Sequence, residues 1–66
     1  MIYYNLVSSV DGKNGTVFQA YKTKSSAFKN ANKRFNSGVY KRVYIWIENT
    51  ENPKKNAVIF ELKQEG

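Results

Sequence analysis

Val43-Tyr44-Ile45-Trp46-Ile47 is an unbroken run of strand-forming residues in which branched aliphatics alternate with aromatics. Such a run predicts a β-strand, well suited to the middle of a sheet. A period of two sends Val43, Ile45 and Ile47 to one face and Arg42, Tyr44, Trp46 and Glu48 to the other. The aliphatic face suits a covering helix. What meets the aromatic face decides what a chain of this kind does.

The rest of the chain supplies partners for that strand. Ile2 to Val10 alternates as a first strand, with Ile2, Tyr4, Leu6, Ser8 and Val10 inward and Tyr3, Asn5, Val7 and Ser9 outward. Asp11-Gly12-Lys13-Asn14-Gly15 then offers the positive-φ positions of a tight reversal. It lacks the alternating oxygen ligands and distal glutamate of a calcium loop. Thr16 to Lys22 reads as a second strand, with Phe18 and Ala20 inward and Val17, Gln19 and Tyr21 outward. Thr23 or Ser25 suits a helix N-cap, and Ala27, Phe28, Ala31 and Phe35 recur at three- and four-residue spacing as one apolar stripe. Gly38 is the expected left-handed residue after the helix. Lys29, Lys33 and Arg34, with Asn30, Asn32 and Asn36, are expected on the outer helix surface, which holds no acid. A polar loop with Pro53, Lys54 and Lys55 leads into a last strand, Ala57 to Gln64. There Val58, Phe60 and Leu62 point inward and Ile59, Glu61 and Lys63 outward.

A chain of 66 residues makes one domain (1–66), and at this size folding removes only about 60% of the unfolded chain's surface from water. It has neither cysteine nor histidine, so no disulfide and no thiolate or imidazole metal site can form, and neither metal nor cofactor is expected. Aromatic residues carry much of the burial instead, at roughly 150–250 Å² each. Met1 leads into Ile2-Tyr3-Tyr4 without a basic stretch or cleavage site, and no apolar run approaches the ~18 residues of a spanning helix. The expectation is a soluble, cytoplasmic protein with no membrane partner. Eleven Lys and Arg against five acids give a net charge of +6, which suits polyanionic partners and also simple solubility.

The order strand, strand, helix, strand, strand predicts an α+β, two-layer ββαββ domain: a four-stranded, mostly antiparallel sheet with one helix on one face. With its single Trp46 in the third strand and an Asn-rich helix end before Gly38, the chain resembles the β-grasp domains, such as the small immunoglobulin-binding domains of protein G. The resemblance implies a sheet in which the first and last strands pair in parallel at the centre and the third lies at an edge. It carries no binding motif, so immunoglobulin binding is assigned to no residue. With either strand order, Lys13, the helix C-terminus and Lys41-Arg42 are expected at one end, and Lys54 and Lys55 at the other.

Three readings of the outward face compete. Tyr3, Val7, Val17, Tyr21, Tyr44, Trp46 and Ile59 form a patch of the kind that marks an interaction site. A protein interface, with another partner or as a homodimer, is one reading, with Tyr3, Tyr21, Tyr44 and Trp46 as anchors. DNA or RNA is another, with single strands stacking on the rings or duplex phosphates meeting Lys29, Lys33 and Arg34; Lys41, Arg42, Lys54 and Lys55 extend the basic surface. In the third, the rings are cross-strand pairs that hold a small sheet together. The sequence points to a non-enzymatic binding or regulatory protein. Glu48 and Glu61 share their face with Arg42, so an ion pair is expected there rather than a catalytic dyad.

Overall fold

The computed structural model describes residues 1–13 and 17–64, and of residues 17 and 18 the backbone alone. Its elements are β1 (Ile2–Ser9), β2 (Val17–Tyr21), α1 (Lys24–Asn36), β3 (Arg42–Asn49), a 3-10 turn (Pro53–Lys55) and β4 (Ala57–Lys63). The strands form one antiparallel sheet in the order β2-β1-β3-β4. This is the expected α+β ββαββ architecture. The Asn14-Gly15 half of the expected turn lies outside the described residues.

The sheet corrects the β-grasp expectation. β1 lies beside β3, antiparallel, and β4 takes the edge. Strand directions are the same in both arrangements, so the two differ only in whether β3 or β4 fills the inner slot. Burial explains the outcome. Val43 and Ile45 of β3 are fully buried, whereas β4 presents exposed Glu61 and Lys63 and carries an irregularity opposite Ile45 and Trp46. Charges and bulges are features of edge strands.

α1 begins where Thr23, in an extended conformation, accepts a hydrogen bond at Oγ1 from the Ser26 N–H at 3.4 Å. It ends at Ser37, followed by Gly38 at φ +81°, whose N–H donates to the Phe35 carbonyl at 3.2 Å. Ala27 and Ala31 are fully buried against Leu6, Val43 and Ile45. Small side chains at these two positions let the helix lie close to the sheet. Phe28 stacks at 4.7 Å on Phe60, and Tyr4, Tyr21, Phe35, Tyr40 and Ile59 close the rim of the core.

Two inward and outward assignments are reversed. In β2, Tyr21 pairs opposite Tyr4 and Gln19 opposite Leu6, so this parity faces the helix, and Tyr21 packs against the core. In β4, Phe60 pairs with Ile45 but Val58 with Trp46, which leaves Ile59 as the extra residue of a bulge. Ile59 therefore packs on the core, and Val58 is 54% exposed on the other face. None of the described helices is long and apolar enough to cross a membrane.

Candidate binding surface

The face away from α1 is built in rows across the strands, successive rows lying about 6.7 Å apart along each strand. Tyr3 stands opposite Glu48; Asn5 has Ala20 on one side and Trp46, then Val58, on the other. Val7 precedes Tyr44 and Glu61 in the next row, and Ser9 precedes Arg42 and Lys63 in the last. Tyr3, Tyr44 and Trp46 are half-buried, and Trp46 lies outside the core beneath the helix. The three rings therefore sit where the alternation placed them. Tyr21 does not join them.

The centre of this face is polar and dry. Asn5 is fully buried, although no helix covers it. Its Nδ2 donates to Glu48 Oε1 at 2.9 Å, while its Oδ1 has no partner. Nothing in the alternation of β1 distinguishes Asn5 from an ordinary solvent-facing residue. Only the cross-strand register, which sets Trp46 beside it, shows why water is excluded.

One end of the face is tied together by Arg42. Its Nε donates to Glu61 Oε2 at 2.6 Å, and its guanidinium lies 4.3 Å over the Tyr44 ring. The pairing of Arg42 with a glutamate follows the expectation. The face thus holds two cations, Arg42 and Lys63, and two carboxylates, Glu48 and Glu61, each carboxylate hydrogen-bonded to a neighbour.

The basic residues separate into several places. Lys29 and Lys33 are exposed on the outer side of α1. Arg34 is not with them: its Nη2 donates to Gln19 Oε1 at 2.7 Å and its Nη1 to Ser8 Oγ at 3.3 Å, so it bridges the helix to β1 and β2. Lys41 lies beside Lys13 and Lys63 at the Arg42 end of the sheet, and these three line one cavity. The helix C-terminus does not contribute to that lining. Lys54 and Lys55 are exposed in the 3-10 turn at the opposite end. Lys13 and Lys41 share the end expected of them, and Lys63, read from the sequence as a phosphate contact of the outward face, joins them there, which the alternation alone does not show because the three come from distant segments.

No protein-family model matches the chain, and neither a curated protein nor a solved structure does.

Proposed function

We propose that the protein is a small, non-enzymatic binding and regulatory protein that acts through its open sheet face, and that this face closes on a second copy of the chain. The observation that carries the proposal is charge balance: in a chain of net charge +6, this aromatic face has as many carboxylates as cations. Balanced charge with Tyr, Trp and Arg is the composition of a protein interface. The face is also self-complementary. Arg42 and Lys63 lie at one end and Glu48 six residues along β3, roughly 20 Å away, so a two-fold axis through the middle sets each cationic end over the other copy's glutamate.

Four strands at about 4.8 Å spacing, the inner two eight residues long, give a face of roughly 500 Å². Two such faces bury about 1,000 Å², the lower bound for a specific interface, which suits a reversible association. The helices end on the outside of the sandwich. Their lysines are then separated by more than the ~8 Å Debye length, and repulsion between them is largely screened. DNA or RNA stacking on the same rings fits less well, because Glu48 and Glu61 stand among them and oppose phosphates. A cysteine-free chain suits the reducing cytoplasm, where we place it.

Sedimentation from micromolar to millimolar concentration tests this reading. A monomer–dimer equilibrium is expected, lost in Val58→Glu, which alters an exposed side chain on the face, and unchanged in Lys33→Glu on the helix. A chain that stays monomeric at millimolar concentration, or a dimer indifferent to Val58→Glu, refutes it.

A further inference from the structure

The end of the sheet marked by Arg42 carries a second feature, which shares Lys63 with the open face. A cavity of about 300 Å³ is lined by Asp11, Gly12, Lys13, Lys41, Lys63 and Gln64. Three cations reach it from three separate segments: the turn after β1, the approach to β3 and the end of β4. Backbone hydrogen bonds fix its frame, the Lys41 N–H donating to the Ser9 carbonyl and the Gln64 N–H to the Lys41 carbonyl, both at 2.9 Å. Asp11 Oδ1 holds the turn by accepting from Ser9 Oγ at 2.9 Å and from the Lys13 N–H at 2.8 Å. Gly12 takes φ +82° beside Lys41, where an added Cβ would lie 3.7 Å from the Lys41 Cβ. The frame is ordered by its own bonds, and the amines are left to a ligand.

Among the described residues, no carboxylate lies within ion-pair distance of Lys13, Lys41 or Lys63; the two ion pairs are Met1 with Glu51 and Arg42 with Glu61. Three lysines against Asp11 leave the lining with a surplus of two positive charges. We infer that this cavity binds a phosphomonoester, the doubly charged terminal phosphate of a nucleotide or of a nucleic-acid end. Lysines act on phosphate as point charges, and several converging on one spot suit a compact dianion. A phosphodiester backbone calls for cations spread in a row, and these three residues line a single cavity instead. The cavity has the volume of roughly ten waters, which leaves room for a phosphoryl group with part of its hydration. Arg42, stacked on Tyr44 and bonded to Glu61, is already engaged and does not line the cavity.

The test is an amide NMR titration of the full chain with inorganic phosphate, a nucleoside monophosphate, and a short oligonucleotide with and without its 5′-phosphate. Shifts are expected at Gly12, Lys13, Lys41 and Gln64. Lys41→Gln and Lys63→Gln each weaken binding about fivefold, the effect of one charge in a solvated site. Asp11→Asn keeps an acceptor for the turn and strengthens binding by a similar factor. The monophosphate and the phosphorylated oligonucleotide distinguish the two sources: equal affinity assigns the site to the phosphate alone, and tighter binding of the oligonucleotide assigns it to a nucleic-acid end. The inference is overturned if the unphosphorylated oligonucleotide binds equally well, or if Lys29, Lys33 and Lys54 amides shift as much as those of the cavity. Unchanged amides elsewhere in each variant report an intact fold.

Discussion

Asn5→Leu should make the protein more stable, although it breaks a hydrogen bond. Asn5 is fully buried, its Nδ2 bonded to Glu48 at 2.9 Å and its Oδ1 unpartnered. A buried acceptor without a partner costs about 1–3 kcal/mol, and leucine, of nearly the same shape, removes it. Burying the apolar side chain adds about 1.5–3 kcal/mol. Against these stands the bond to Glu48, worth about 1.5–3 kcal/mol as a charge-assisted contact. Glu48 is only half-buried, so water takes over part of that bond once the amide is gone. The balance favours leucine by about 1–2 kcal/mol, which in a domain this small raises the melting temperature by about 4–8 °C per kcal/mol. Urea titration followed by Trp46 fluorescence reads it directly, with a higher midpoint at unchanged slope. A variant less stable than the parent by about 1 kcal/mol or more refutes the reasoning, since Oδ1 must then be satisfied in the native protein.

Two further substitutions test how the helix is held. Arg34→Met removes the bonds to Gln19 and Ser8 and should cost about 1–2 kcal/mol, while Lys33→Met next to it, exposed, should change the unfolding free energy read by urea titration by less than about 0.5 kcal/mol. Equal effects would place Arg34 in solvent. Gly38→Ala should cost about 1–2 kcal/mol by thermal melting, from backbone strain at φ +81° alone, because no atom lies within 4 Å of the added Cβ. An unchanged melting temperature would show that the helix end relaxes freely.

Element boundaries were legible because they rest on local chemistry: the Thr23 hydroxyl caps the helix, and Gly38, which has no Cβ, takes the positive φ that ends it. The faces of β3 were legible for the same reason, since its alternation is unbroken. β2 was not. With Val17, Phe18, Ala20 and Tyr21 it has apolar residues at both parities, and a period of two without contrast carries no sign. Pairing with β1 supplied the sign, by setting Tyr21 opposite Tyr4. The bulge at Ile59 shifted the count in β4 by one, which no composition reveals. Arg34 was missed differently. It follows Ala27 by seven residues and Ala31 by three, the spacing of the buried stripe, so its stem starts at the edge of the sheet-facing side, and its charge obscured that position. The inner place of β3 over β4 was readable in principle, from the charges of Glu61 and Lys63, but element order alone is common to both arrangements.

Where the positive surplus resides bears on both proposed surfaces. Arg42 is balanced by Glu61 and Arg34 keeps its charge but spends its donors on Gln19 and Ser8, so the positive surplus open to a partner belongs to lysines on the outer helix surface and at the two ends of the sheet. The aromatic face is neutral in sum, Arg42 and Lys63 against Glu48 and Glu61, and Lys63 is the one lysine it shares with the cavity. An interface that buries equal numbers of cations and carboxylates gains no long-range attraction from that surplus, whereas an anion entering the Lys13, Lys41 and Lys63 cavity is drawn by it and screened by salt. The two surfaces are therefore separable by mutation. Val58→Glu should abolish self-association and leave phosphate shifts at Gly12 and Lys41 intact, and Lys41→Gln should weaken phosphate binding about fivefold and leave self-association intact. Loss of both in Val58→Glu would mean that the cavity forms only when two copies meet, which the backbone bonds from Lys41 to Ser9 and from Gln64 to Lys41, all within one chain, argue against.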